Sequence, residues 1–179
     1  MTRILALDTA TEACSCALWL DGEMITRFEV APQKHTQLIL PMIDGLLADA
    51  GVDRHSLDAI AFGRGPGSFT GVRIAVAMAQ GIAFSLDKPV VPVSTLQALA
   101  LAGVRQYGAD KIIALMDARM GEVYHAEFVV DSNGEPVMQG KESVIKPELV
   151  PVPEADGWVS LGSGWIAHGD ALTGALAGH

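Results

Sequence analysis

The chain is 179 residues long, half of them hydrophobic, with a formal net charge of −9. That length supports one ordinary core or two small ones, and the acidity excludes the basic footprint by which a protein grips nucleic acid directly. No uninterrupted apolar run reaches the ~18 residues that span a bilayer, and the opening MTRILALDTATEA turns acidic and threonine-rich too early for a signal peptide, so a cytoplasmic protein without membrane contact is expected.

The elements follow in chain order. Residues 3–8 (RILALD) predict a buried strand ending on a carboxylate, 14–20 a second strand, Asp21-Gly22 a hairpin turn and 24–30 a third strand. Cys14 and Cys16 lie two apart and so face one side of their strand, which suits small core residues better than redox or metal chemistry. Residues 35–50 predict a helix, kinked or starting late because of Pro41. A strand over 58–63 leads into a glycine-rich loop, then a helix over 70–86, a short strand over 89–93, and a helix capped by Ser94 running to about Tyr107.

The chain then begins again. KIIALMD (111–117) echoes RILALD, with Lys111 standing 108 residues after Arg3. A strand over 121–130, a turn at Asn133-Gly134, a strand over 136–145 and a short strand at 158–162 follow, before a glycine-rich tail. The expectation is an α/β protein in which a β-β-β-α-β-α unit occurs twice, the second lobe short, with lobes at 1–108 and 109–179. That pattern is the one found in actin-like ATPase and ribonuclease-H-like folds, which by itself licenses no function.

The stretch GRGPGSFTGVRIA (63–75) is the chemical question. It satisfies neither the phosphate loop G-x-x-x-x-G-K-[ST], nor the dinucleotide loop G-x-G-x-x-G, nor the nucleophile elbow G-x-S-x-G. Two readings stay open. Free backbone N–H groups beside a helix start, with Arg64 and Arg73 near, could receive phosphate, and Asp8, Thr11, Gly65 and Gly67 would then surround Mg-ATP. Alternatively the loop is a sharp strand-to-helix turn capped by Ser68 or Thr70. Ala10 stands where a phosphate-binding hairpin normally has glycine, and its Cβ argues for the turn. Asp8 and Asp117 could hold Mg²⁺ through water or simply end strands. The five histidines have no zinc-like spacing, and no nucleophile–base set is legible, so no catalytic or metal residue is assigned.

The two long helices carry more apolar residues than one core-facing stripe needs. Leu38, Ile39, Met42, Ile43 and Leu46 in the first, with Gly71, Ala75, Met78, Ala79 and Ile82 in the second, are the candidate partner interface, against the alternative of a wholly internal pair. If these residues face a partner, Ile39→Asp or Ala79→Arg leaves the fold intact and abolishes pairing.

The motifs ILALDTATEACSCALW, KHTQLILPM, AFGRGPGSFTGVRIA, PVVPVSTLQALA and MDARMGEVYHAEF resemble the TsaB (YeaZ) family from residue 3 to about 165. The resemblance implies a non-catalytic subunit needed to place N6-threonylcarbamoyladenosine next to the tRNA anticodon. In that family threonylcarbamoyl passes from its adenylate to tRNA on the related subunit TsaD, with the ATPase TsaE as companion. It also implies pairing with TsaD through the helical surface, competition from a homodimer, contact with tRNA only through the complex, and ATP or ADP with Mg²⁺ at a complex interface rather than an intrinsic cofactor. TsaD's H-x-x-x-H metal pair falls here on Thr95 and Leu99, which cannot replace imidazoles. Family members run longer, so a C-terminal segment is expected to be missing. The rival readings are an actin-like ATPase or kinase acting alone, and a glycoprotease-like peptidase.

Overall fold

The structure is a computed structural model that describes residues 2–154 and 156–176. It divides into two compact units, Met1–Ser94 and Thr95–His179.

In the first unit β1 (Arg3–Asp8), β2 (Ala13–Leu20) and β3 (Glu23–Val30) form an antiparallel meander. Asp21 and Gly22 both have positive φ (50° and 104°), as a tight two-residue hairpin requires. Helix α1 (His35–Ala50), β4 (Ala59–Gly63), α2 (Phe69–Leu86) and β5 (Val90–Val93) complete it, with a single 3-10 turn at Arg54–Ser56. The sheet order is β3-β2-β1-β4-β5, with β4 parallel to β1 and β5 parallel to β4. This is the ribonuclease-H-like order that the meander and crossovers led us to expect.

Period-2 alternation decides which sheet face is covered. Leu5, Leu7, Cys14, Cys16, Leu18 and Ile60 point to one side and are buried under α1 and α2. Register pairs Leu5 with Leu18 and Leu7 with Cys16, so both thiols lie in this core, unpaired, and burial pushes the Cys16 thiol up to about 11. Helix α1 runs without interruption from His35 through Pro41, whose ring is on the exposed side, so the late start does not occur.

The second unit begins with α3 (Thr95–Tyr107), then β6 (Lys111–Arg119), β7 (Glu122–Val130), β8 (Pro136–Ile145), a 3-10 turn at Pro147–Leu149, β9 (Val159–Leu161) and α4 (Gly164–Ala175). Its sheet order is β8-β7-β6-β9. Residues Ile112 to Met116 of β6 are buried without a break because both sheet faces are covered. Leu96 and Ala100 of α3 join Ile112, Ala114 and Phe128 on one face, while Leu172 and Leu176 join Ile113, Leu115 and Val123 on the other.

Four expectations are corrected. The unit boundary falls after Ser94 rather than after residue 108, because the apolar stripe of α3 packs on the second sheet. In the second unit a 3-10 turn replaces the helix expected between the third and fourth strands. The glycine-rich tail is helix α4 as far as Ala175; glycine's low propensity hid it, and His168 breaks its regular dihedrals (φ −139°, ψ 29°). The turn at Asn133-Gly134 is longer than two residues: Asp131 N–H bonds Glu135 O at 2.9 Å, Gly134 N–H bonds Asp131 O at 3.0 Å, and Gly134 takes φ 81°. His179 lies outside the described residues.

Candidate functional site

The glycine loop and the β1–β2 turn are built against each other. Ser68 N–H donates to the Ala10 carbonyl at 2.7 Å, and the buried Thr9 hydroxyl donates to the Gly71 carbonyl at 2.7 Å. A Cβ at Gly63 would overlap the Asp8 carboxylate, one at Gly67 the Ala10 carbonyl, and one at Gly71 the Thr9 carbonyl. Gly67 and Gly71 are therefore required by close backbone approach, while Gly63 leaves room for the Asp8 side chain. Gly65 serves the turn itself, at φ 89°.

Two more N–H groups of this segment are taken up internally. Arg64 N–H bonds Val93 O at 2.9 Å, while Gly71 N–H bonds Ser68 Oγ at 3.3 Å, making Ser68 the cap of α2. Among the nucleotide candidates, Asp8 Oδ1 accepts Ala10 N–H at 2.8 Å and Thr11 Oγ1 accepts Ala13 N–H at 3.2 Å, each holding its own turn. Burial raises the Asp8 carboxyl above its ordinary range, with the Ala10 N–H and nearby His35 pulling it back. Asp8 and Gly67 thus both lie against the Ala10 backbone, while Gly65 packs toward Val72. The arrangement braces the start of α2.

The interface candidates divide by which side of their helix they occupy. Ile39, Met42, Ile43 and Leu46 of α1, and Gly71, Ala75 and Ala79 of α2, are buried in the first unit's own core; Ile39, Ala75 and Ala79 have no exposed surface. They cannot touch a partner, which corrects the expectation for them. Leu38, Met78 and Ile82 are half-buried against the same core. The outward apolar positions are Leu40 on α1, with Phe69 and Phe84 on α2; Phe84 is 92% exposed. Exposed Ala77, Gln80 and Gly81 lie between the two phenylalanines. The four-residue spacing of Gly71, Ala75, Ala79 and Ala83 carried this information, since such a stripe of small residues suits close packing on a sheet.

Helix α2 is long and apolar enough, by length and composition, to cross a membrane, but its small-residue stripe packs on its own sheet. In α3, Thr95 and Leu99 are half-buried in the second unit, and Leu99 packs in its core. Among the described residues no three His, Cys, Asp or Glu side chains converge as a metal set. Asp117 ends its run of β6 with Arg119 Nη1 at 3.2 Å and His168 Nε2 at 3.4 Å, and its N–H bonds Ser163 Oγ at 3.1 Å.

Comparisons with known proteins show the family of the chain. Residues 28–151 match the family model described as TsaD, tRNA N6-adenosine threonylcarbamoyltransferase. The chain is 49% identical, over 94% of its length and 74% of the relative's, to the tRNA threonylcarbamoyladenosine biosynthesis protein TsaB of Escherichia coli K12. It is 45% identical to the protein of the same name in Haemophilus influenzae, over 92% of this chain and 73% of that one. The solved structure of YeaZ from Pseudomonas aeruginosa superposes with a TM-score of 0.88 at 49% identity, covering 92% of this chain and 78% of that one. With a shared fold and about half of all residues in common across nearly its whole length, the chain belongs to the TsaB family.

Proposed function

We propose that this protein is a non-catalytic subunit in the formation of N6-threonylcarbamoyladenosine in tRNA, acting in the cytoplasm by pairing with a TsaD subunit that performs the transfer. The observation that carries this reading is the apolar surface turned outward on α1 and α2, Leu40, Phe69 and Phe84, on a chain whose glycine loop is spent on bracing the helix beneath it. Exposed aromatic anchors of this kind suit a protein interface. The net charge of −9 supports contact with tRNA through the complex rather than by this chain alone. A homodimer through the same helices competes with the TsaD pairing, TsaE joins the assembly, and ATP or ADP with Mg²⁺ belongs at an interface with those partners.

The test is a double substitution, Leu40→Glu with Phe84→Glu. It leaves the thermal unfolding midpoint of the isolated chain close to wild type, because neither side chain contributes to the core. Pairing with TsaD, followed by gel filtration and titration, weakens by at least about 30-fold, corresponding to the loss of a ~2 kcal/mol hot spot. Reconstituted tRNA modification falls with it. A folded double variant that still co-elutes with TsaD and supports modification overturns the proposal.

A further inference from the structure

The chain contains one asparagine, Asn133, and glycine follows it. Both are exposed in the β7–β8 turn, between Asp131 and Glu135. We infer that Asn133 is a site of spontaneous covalent modification, converting to aspartate and isoaspartate, and that the Asp131 side chain sets the rate at which this happens in the folded protein.

The chemistry needs no partner but water. The backbone nitrogen of Gly134 attacks Asn133 Cγ and forms a five-membered succinimide. The Cγ–Nδ2 bond breaks, and the side-chain nitrogen leaves as ammonia carrying the proton lost by the Gly134 nitrogen. Water then opens the ring at either carbonyl. Opening at Cγ gives aspartate; opening at the main-chain carbonyl gives isoaspartate, in which the backbone runs through the former side chain and is one carbon longer. No electron is gained or lost. Glycine is the permissive neighbour because it has no Cβ to obstruct the attacking nitrogen and can follow the ring through unusual dihedrals; here it already stands at φ 81°.

Both reacting groups are tied to one residue. Asn133 Nδ2 donates to Asp131 Oδ2 at 3.3 Å, and Gly134 N–H donates to the Asp131 carbonyl at 3.0 Å. Asp131 Oδ1 also accepts the Asn133 and Glu135 N–H groups at 2.8 and 3.0 Å. Those bonds hold the Asp131 carboxyl below its ordinary range, so it is charged and accepting throughout the pH range in which the reaction runs. The leaving amide and the nucleophile are freed together when this turn opens. The product carries a new carboxylate between Asp131 and Glu135, and its isoaspartyl form lengthens the segment that aligns β7 with β8.

The 179-residue chain is incubated at pH 8.5 and 37 °C, with a parallel sample held in urea, and intact mass is followed for a gain of about 1 Da. Isoaspartate is read by methyl transfer from labelled S-adenosylmethionine with a protein isoaspartyl carboxyl-methyltransferase. The folded chain gains mass and label several-fold more slowly than the chain in urea. Asp131→Ala, checked as folded by circular dichroism, converts several-fold faster than wild type, and Asp131→Ser gives the same acceleration by an independent route. Asn133→Ser abolishes the mass gain and the label in the peptide that carries residue 133; the Asp-Gly steps at Asp21, Asp44 and Asp156 give label without mass gain and are separated by peptide mapping. A folded wild-type chain that stays unmodified while the urea sample converts overturns the site. Equal rates for wild type and both Asp131 variants overturn the control by Asp131, and a mass gain persisting in Asn133→Ser assigns the deamidation elsewhere.

Discussion

At the scale of single residues, the two contacts that join the first hairpin to the glycine loop carry definite energetic consequences. Removing the Thr9 hydroxyl by Thr9→Val leaves the Gly71 carbonyl without its buried donor and is expected to cost about 1–3 kcal/mol, measured as a shift in the urea unfolding midpoint. A second residue-scale prediction concerns His125, buried in β7 with Ser143 Oγ at 3.3 Å and Glu127 Oε1 at 3.5 Å. Burial depresses its pKa below the ordinary 6.5, so the unfolded chain takes up a proton that the folded chain refuses. The stability this contributes is complete above pH 6.5 and is lost as pH falls through that value. Burial raises the Glu127 carboxyl, which works in the opposite direction and favours the folded state as acid increases. Unfolding midpoints at pH 7.5 and 5.5 therefore differ, with the protein weaker at 5.5, and His125→Gln reduces that difference.

At the scale of elements, α1 and α2 explain which part of the helix reading was legible. Both helices were visible from composition and turn residues, with Ser68 a ready cap and Gly51 closing α1 in the left-handed conformation. Their inward and outward faces were not, because residues apolar all round leave a weak contrast for periodicity to detect. The small stripe of α2 would have resolved it. Placing Ile39 and Ala79 in the core reverses the consequence of changing them: Ile39→Asp and Ala79→Arg each destabilise the first unit by more than about 4 kcal/mol, seen as loss of the cooperative thermal transition. The same measurement on the Leu40 and Phe84 variants shows a normal transition, which separates folding from pairing. The glycine loop teaches a related lesson. Its pattern excluded the known phosphate loops, but the reason for so many glycines is the distant β1–β2 turn, which no spacing within the loop reveals.

At the scale of the whole molecule, the duplication is real in the meanders and in the parallel fourth strands, and incomplete in the helices. The division after Ser94 yields a further expectation. A fragment of residues 95–179 retains α3, with Leu96 and Ala100 packed on Ile112 and Phe128, and unfolds cooperatively on heating. A fragment of residues 109–179 leaves that face uncovered and shows no cooperative transition, as followed by circular dichroism. Equal behaviour of the two fragments would remove α3 from the second unit. The net charge of −9 belongs to the whole chain, and no single element accounts for it.

The order of strands and helices, the repeated opening run and the family resemblance were determined by sequence alone, because alternation, turn residues and motif identity are local properties. Which helix belongs to which sheet, which side of α1 and α2 faces outward, and why Gly63, Gly67 and Gly71 admit no side chain were decided by tertiary structure. Each depends on a neighbour far along the chain: Asp8, Thr9 and Ala10 for the glycines, the covered sheet face for the helices, and the β6–β7 surface for α3. Burial is a relation between such distant segments, and only the folded chain brings them together.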